Sequence, residues 1–237
     1  GQNVVVNLGK AEGMLPRGEQ IYSESCQPGD RLRLYIVDVK RMGSKARIIM
    51  SRTAPDLVRR LFEMEVPEIA EKIISIRCIA REAGYRSKIA VESSDSRVDC
   101  IGACVGVRGS RIRSIVEELN GEKIDIVRWS DNPYELVGES LKPATVGEIH
   151  LDTRNRSATV VVDDSQLSLA IGRRGQNVRL ASRLSGWEID IVSKTQLAER
   201  ANEAITELAT IAPVDRELAE ALYKAGYESL QDLADRG

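Results

Sequence analysis

The segment GACVGVRGSRIRSIVEELNGEKIDIV, residues 102–127, decides the fold because it recurs 66 positions later as SLAIGRRGQNVRLASRLSGWEIDIV, residues 168–192. Gly106 and Gly109 align with glycines of the second segment, and IDIV closes both. A match of this length within one chain indicates two copies of a single structural module.

Each copy is predicted to follow the order strand, strand, helix, GxxG turn, helix, strand. Runs rich in Ile and Val with polar turns between them predict the first two strands, at 74–81 and 88–92 and at 146–152 and 158–162. Apolar residues at helical spacing predict the helices on both sides of each turn, at 99–105, 110–119, 165–171 and 176–184. Each copy is therefore a compact α/β module.

The flanking segments have different patterns. Short strands with Gly and Pro turns between them predict a small barrel near the N-terminus, with strands at 4–8, 31–38 and 47–51 and a helix at 55–64. The end of the chain is helical and acidic, with helices predicted at 195–208, 215–225 and 229–234.

The net charge of −2 hides a division of charge along the chain. Residues 196–237 contain nine acidic and four basic residues, a net of −5, which leaves +3 for residues 1–195. Exposed charges are screened beyond about 10 Å, so the local charge decides what a surface attracts. A basic body with an acidic appendage is compatible with nucleic-acid binding.

The GxxG turns are the candidate binding sites. Glycine lets two backbones approach closely, and the helix that begins after each turn offers free N–H groups and a positive dipole end to a phosphate. The residues predicted to contact a phosphodiester backbone are Gly106, Val107, Arg108, Gly109, Ser110, Arg111, Gly172, Arg173, Arg174, Gly175, Gln176, Asn177 and Arg179.

An enzyme is not indicated. The four cysteines have no zinc-ligand spacing and are expected to be buried free thiols in a reducing cytoplasm: Cys26, Cys78, Cys100 and Cys104. The single histidine, His150, belongs to no Ser-His-Asp or Cys-His set, and Asp163-Asp164 suits a helix start better than a metal nuclease. We predict no catalytic residue, no metal, no cofactor and no membrane span.

The pattern I/V-G-x-R-G-x-x-I/V between two helices resembles the KH domain, and the β-β-α-α-β order resembles its type II form. This resemblance implies that each GxxG turn clamps the backbone of single-stranded RNA while an aliphatic groove holds the bases. Candidate groove residues, equally compatible with plain core, are Ile101, Val105, Ile112 and Ile126, and Ile171, Val178 and Ile191.

Longer segments, among them NGEKIDIVRWS, RLFEMEVPEI and DDSQLSLAIGRRGQNVRLASRL, resemble the NusA family of bacterial transcription termination/antitermination factors from residue 1 to about residue 195. The resemblance implies RNA binding on nascent transcripts, together with RNA polymerase and other elongation factors, in pausing, termination and antitermination. It also implies that the protein is not an enzyme. We expect a cytoplasmic monomer.

The predicted fold class is multi-domain α+β. The family pattern divides the chain into an S1-type OB barrel at 1–52, a linking helix at 53–65, KH domains at 66–141 and 142–195, and an acidic helical segment at 196–237.

From the resemblance, we expect the family's polymerase-binding N-terminal domain to be absent from this chain. GQNVVVNLG resembles the second barrel strand, so the first strand is expected to be missing and the barrel incomplete. Candidate barrel contacts to RNA, which a solvated surface explains equally well, are Arg17, Arg31, Arg33 and Tyr35.

The C-terminal VDRELAEALYKAGYESLQDLA resembles a helix-hairpin-helix unit. Its acidity favours a protein contact, or competition with RNA for the KH surface, over phosphate binding. Three alternatives remain open from the sequence: a KH/OB component of a ribosomal or RNA-degradation assembly, duplex DNA binding through the C-terminal unit, and a metal nuclease.

Overall fold

The computed structural model describes residues 2–43, 45–211 and 214–236. Two compact units make up the chain, the first from Gly1–Pro143 with Arg179–Trp187 and the second from Ala144–Val178 with Glu188–Gly237. Within the described residues no helix combines the length and the apolarity needed to cross a bilayer.

The first unit begins with a four-stranded sheet in the order β1-β2-β4-β3. Its strands are β1 Val4–Asn7, β2 Glu12–Leu15, β3 Tyr35–Met42 and β4 Lys45–Ser51. The inner pair, β2 and β4, is parallel, whereas β1 with β2 and β3 with β4 are antiparallel. This arrangement is consistent with a partial S1-type barrel, which stays a prediction.

Two sequence predictions for this sheet differ from the structure. β2 was not predicted because its four residues, EGML, include no β-branched or aromatic residue. The strand predicted at 31–38 begins and ends later, since β3 pairs with β4 as far as Met42 opposite Lys45 and the chain turns at Gly43, whose φ is +63°.

The first KH repeat follows in the predicted order, as β5 Ile74–Glu82, β6 Arg86–Ser93, α3 Cys100–Val105, α4 Ser110–Glu118 and β7 Lys123–Arg128. The helices α1 Pro55–Glu65 and α2 Pro67–Ala70 precede it, and α5 Pro133–Ser140 follows it. In the sheet, β5 and β6 are antiparallel, and β6 and β7 are parallel. The sequence missed α5, although Asn132 caps it and Pro133 occupies its first turn.

The helix α1 is part of the core of this unit. Leu57, Val58, Leu61 and Phe62 are buried on one face and pack in a cluster with Ile89 and Ile115, from β6 and α4. The sequence placed this helix in a linker because its amphipathic pattern does not say which surface it covers. The domain boundary at residue 65 stays a prediction.

The second unit repeats the same topology. Its KH elements are β8 Ile149–Asp152, β9 Ser157–Val162, α6 Asp164–Ile171, α7 Gln176–Ser185 and β10 Glu188–Ser193. β8 and β9 are antiparallel, and β9 and β10 are parallel. The helices α8 Lys194–Leu208, α9 Arg216–Lys224 and α10 Leu230–Arg236 follow. Because α8 packs on β9 and β10, it is joined to this sheet.

The segment Arg179–Trp187, which contains most of α7, belongs to the first unit. Leu180 and Leu184 are buried there in a cluster with three small or apolar residues of the first KH sheet: Ala80, Ala90 and Val127. One cluster of the β5-β6-β7 sheet thus packs against α1 and α4. In a second cluster, residues of the same three strands pack against α7.

Candidate nucleic-acid interface

The two GxxG turns have the same backbone conformation. In the first turn, Gly106, Arg108 and Gly109 have φ angles of 77°, 52° and 74°. The second turn repeats these values within a few degrees: Gly172 77°, Arg174 54°, Gly175 71°. A positive φ is uncommon for arginine, and its recurrence at the same position in both copies indicates that the turn shape is imposed by the surrounding structure.

Hydrogen bonds close each turn between two helices. The Gly106 N–H donates to the Gly102 carbonyl (2.9 Å) at the end of α3, and the Gly109 N–H donates to the Gly106 carbonyl (3.0 Å). The matching bonds of the second turn are Gly172 N–H to Ser168 O (2.9 Å) and Gly175 N–H to Gly172 O (3.1 Å). Because α4 and α7 start directly after the second glycine, the N–H groups of their first turns lie next to the glycine backbone.

The middle residues of both turns are exposed. Val107 is 82% exposed, and Arg108, Arg173 and Arg174 are also exposed. Neither Arg108 nor Arg173 forms a salt bridge with any described residue. A guanidinium is charged at all physiological pH values and can form two parallel hydrogen bonds with a phosphate. Each turn therefore presents a cation and a close backbone to the solvent.

Other predicted contact residues lie against the protein. Nη1 of Arg111 donates to Oε2 of Glu68 (2.9 Å) and to the Ala103 carbonyl (2.6 Å). Asn177 is 1% exposed, and its Nδ2 donates to the Ala170 carbonyl (2.9 Å). Their contact with RNA stays a prediction, and so does that of Ser110 and Gln176, which begin α4 and α7.

Arg179 lies in the part of α7 that belongs to the first unit, and its Nε donates to Oε1 of Glu82 on β5 (2.6 Å). This ion pair gives the guanidinium a structural partner in the first unit. The predicted RNA contact of Arg179 is not tested by this geometry.

The predicted groove residues of the first repeat are half-buried. Ile101, Ile112 and Ile126 pack against the core cluster that contains α1 and still expose part of their side chains. In the second repeat, Ile171 and Val178 are half-buried and Ile191 is buried, at 8% exposure. Partly exposed aliphatic residues next to the turns fit an apolar groove, whereas Ile191 is mainly core.

The barrel candidates have mixed surroundings. Arg17 and Arg31 are exposed. Nε of Arg33 lies 3.7 Å from a carboxylate oxygen of Glu118 on α4. Tyr35 is half-buried and packs against the core of the first KH repeat, which leaves less of its ring for stacking on a base.

Sequence reasoning missed two carboxylates next to the first turn. Glu68 contacts Arg111 from 43 residues away, and Oε1 of Glu65 accepts a hydrogen bond from Oγ of Ser114 (3.0 Å), 49 residues away. No local sequence signal connects residues at such separations, so only the folded chain brings them together.

The cysteine thiols show no sign of a reactive or metal-binding role in the described residues. All four cysteines are free, with Cys100 and Cys104 buried and Cys26 and Cys78 half-buried. Burial raises the pKa of Cys104 to about 12, so this thiol stays protonated and unreactive near neutral pH. Among the described residues, no three His, Cys, Asp or Glu side chains converge as metal ligands.

Comparisons with known proteins agree with the repeat. A family model described as the NusA-like first KH domain matches residues 52–129, and one described as the NusA-like second KH domain matches residues 133–199. Each match contains one copy of the GxxG module. The first match also includes α1, and the second begins with α5.

Three curated relatives carry the name transcription termination/antitermination protein NusA. Those from Bacillus subtilis and Halalkalibacterium halodurans are 50% and 49% identical over 196 residues, which cover 83% of this chain and 53% and 51% of the relatives. That from Rickettsia prowazekii is 41% identical over 239 aligned positions, covering 98% of this chain and 48% of the relative. The chain thus spans about half the length of these relatives.

Proposed function

Because the chain belongs to the NusA family, we propose that it binds single-stranded RNA through its two KH domains and acts on nascent transcripts during elongation, termination and antitermination. The observation that carries this proposal is the pair of glycine turns with the same φ angles and an exposed arginine in each. Both copies of the module therefore present the same cationic turn to the solvent, which supports a shared ligand.

The mechanism follows from the geometry of the turns. At the glycines no side chain holds a phosphodiester away from the backbone, so the strand can lie against the N–H groups at the start of α4 and α7. Arg108, Arg173 and Arg174 supply charge that is insensitive to sequence, and the aliphatic side chains beside each turn supply contacts to bases. This division gives backbone affinity with a modest sequence preference.

The wider role is proposed from the relatives. Their name supports a place in the transcription machinery, and we extend this to association with RNA polymerase and other elongation factors, in the cytoplasm, as a monomer without catalytic activity. No observation favours a ribosomal or RNA-degradation component, since both KH matches are of the NusA type.

The decisive experiment measures the binding of labelled single-stranded RNA over a range of salt concentrations. The test variant carries Asp at Val107, Arg108, Arg173 and Arg174. Asp adopts a positive φ more readily than most residues, so the turns at Arg108 and Arg174 can keep their shape. We expect most of the affinity to be lost, together with part of the salt dependence, because each lost phosphate contact lowers the log–log slope by about 0.7.

The matched control places the same change of charge on exposed positions outside the turns. It carries Asp at Tyr22, Arg60, Arg97 and Arg154, all of which are exposed. Binding that is lost in the test variant and largely kept in the control supports the proposal. Equal binding by the wild type and the folded test variant would mean that RNA does not bind at the GxxG turns.

A second assay addresses catalysis. RNA is incubated with the protein and Mg²⁺ and then examined for length. A binding protein leaves the RNA intact, whereas cleavage that depends on Mg²⁺ would support the nuclease alternative.

A further inference from the structure

One side chain lies against the first glycine of each turn. It comes from the residue two positions after the second glycine, Arg111 in one repeat and Asn177 in the other. A Cβ at Gly106 would lie 2.7 Å from Cγ of Arg111, and a Cβ at Gly172 would lie 2.7 Å from Cβ of Asn177. Both side chains occupy space that only glycine leaves open.

Both side chains also make the same kind of hydrogen bond. Each donates to a carbonyl in the last turn of the helix before the GxxG, Arg111 to Ala103 (2.6 Å) and Asn177 to Ala170 (2.9 Å). The side chain therefore ties the start of the second helix to the end of the first. This contact fixes the angle at which the two helices meet, and so the shape of the turn.

The chemistry of the two contacts differs. Asn177 is neutral and almost fully buried inside its own repeat. Arg111 is about one-third exposed and continues outward to Glu68 of α2, with Nη1 2.9 Å from Oε2. The guanidinium thus has an acidic partner in the unit and a carbonyl partner at the turn.

We propose that Arg111 is a positioning residue of the first turn and that Glu68 holds it in place, so that an acidic side chain on α2 supports RNA binding by the first KH domain. This inference rests on the proposed RNA-binding function. The second repeat uses the neutral side chain of Asn177 for the same purpose.

The alternative role for Arg111 is the one that its charge alone suggests, a direct phosphate contact. The two roles predict opposite effects of removing the charge of Glu68. If Arg111 contacts phosphate, Glu68→Gln frees the guanidinium and removes a repulsive carboxylate, so RNA binds equally well or more tightly. If Arg111 positions the turn, the same change weakens binding.

The experiment compares Glu68→Gln, Glu71→Gln and Glu65→Gln in the full chain, with RNA affinity measured at several salt concentrations. Glu71 is an exposed carboxylate directly after α2 and controls for the lost charge. Glu65 bonds Ser114 on the same helix α4 and controls for a looser contact between α1 and α4. Thermal melting of each variant reports the change in stability.

We expect Glu68→Gln to weaken RNA binding by roughly 3- to 10-fold, the range for a hydrogen bond of ordinary strength, with an unchanged salt slope. Arg111→Gln should weaken binding with the same unchanged slope, and adding Glu68→Gln to it should have little further effect because the pair acts as one unit. Glu71→Gln and Glu65→Gln should bind RNA as the wild type does.

Two results would overturn the inference. One is wild-type or tighter binding by Glu68→Gln together with a slope reduced by about 0.7 in Arg111→Gln, which identifies a phosphate contact. The other is an equal loss in Glu65→Gln and Glu68→Gln, which assigns the effect to the docking of α4 in general. A failure of the proposed function is distinct from both, since it appears as unchanged binding when the exposed turn residues are replaced by Asp.

Discussion

Gly106 is subject to two constraints, and Gly109 to one of them. Both have a positive φ, 77° and 74°, which disfavours any side chain by roughly 1 kcal/mol or more. A Cβ at Gly109 has its nearest neighbour at 3.8 Å, whereas one at Gly106 would meet Arg111 at 2.7 Å. The two glycines are therefore not equivalent, although the GxxG pattern presents them as a pair.

We predict that Gly106→Ala lowers the free energy of unfolding and the RNA affinity more than Gly109→Ala does. Gly109→Ala should cost about 1 kcal/mol from backbone strain alone. Gly106→Ala adds the displacement of Arg111 and a ψ of 172°, which lies outside the αL region and is almost confined to glycine, so both of its losses should be the larger. Urea unfolding and RNA titration of both variants test this, and equal losses would contradict both added costs.

A buried ion pair lies beneath the β5–β6 hairpin. The side chains of Arg81 and Glu122 are 1% and 0% exposed, with Nη2 2.9 Å from Oε2. Glu122 also accepts hydrogen bonds from the Gly84 N–H (2.9 Å) and from Oγ of Ser87 (2.7 Å). Such a carboxylate depends on its cation, because burial without one removes both hydration and charge pairing.

We predict that Arg81→Met destabilises the protein by about 3–5 kcal/mol, the loss typical of a buried pair with one partner removed. Arg97→Met is the comparison, since the side chain of Arg97 is 87% exposed in a surface pair with Asp95 and should change stability by less than about 1 kcal/mol. Urea unfolding followed by circular dichroism measures both. A loss below about 1 kcal/mol in Arg81→Met would contradict the structural role of the pair.

At the scale of elements, α7 belongs by sequence to the second repeat while its later residues pack in the first unit. Leu180 and Leu184 are 0% and 2% exposed in the cluster with residues of β5, β6 and β7. Burial of a leucine in a well-packed cluster stabilises both the helix and the sheet it contacts. The first KH sheet therefore depends on residues encoded about 90 positions later than β6.

We predict that Leu180→Ala lowers the free energy of unfolding by about 2–5 kcal/mol, the range for leucine truncation in a core. Arg183→Ala, an exposed position on the same helix, should have an effect within about 0.5 kcal/mol. Chemical unfolding of the two variants supplies the measurement. Similar stabilities would mean that this cluster contributes little to the fold.

The sequence predicts the repeated elements well because their signals are local. Glycine turns, Ile- and Val-rich strands and amphipathic helices each reveal themselves within about ten residues. Elements that depend on distant pairing were missed or misplaced: β2 has a weak strand composition and pairs in parallel with β4, and the apolar face of α1 does not show which core it joins.

The candidate site divides in the same way. The exposed arginines of the turns follow from the motif, because a residue between the two glycines is held outward by the turn itself. The contact between Arg111 and Glu68 does not follow from the motif, because Glu68 lies 43 residues earlier and reaches Arg111 only in the folded chain. Charge alone predicts a phosphate contact for Arg111, which stays a prediction, and the folded chain adds an ion pair with Glu68 that the sequence does not reveal.

At the scale of the whole molecule, the acidic C-terminal segment is joined to the second unit through α8. Ser193 and Gln196 form a reciprocal cap at the start of the helix, Arg200 pairs with Asp190 of β10 (3.5 Å), and Leu208 is fully buried. Deleting the segment would remove this packing as well as its charge. Neutralising exposed carboxylates separates the two effects.

We predict that Glu203→Gln combined with Glu207→Gln raises RNA affinity at low salt, if the segment competes with RNA for the basic KH surface. Both carboxylates are exposed on α8, and two surface charges contribute about 0.5–1 kcal/mol together, or roughly two- to fivefold in affinity. The gain should disappear at high salt, where the Debye length falls to about 3 Å.

The control for this prediction removes two exposed carboxylates from the first unit, Glu12→Gln with Glu71→Gln. Both pairs change the net charge of −2 to 0, so an effect of total charge must appear in both. A gain confined to the α8 pair would locate the competition on the acidic segment, because only position distinguishes the two variants. An equal gain in RNA affinity in both variants would assign the effect to net charge. No gain in either variant would mean that the acidity of the segment has no role in RNA binding, which favours a protein contact for it.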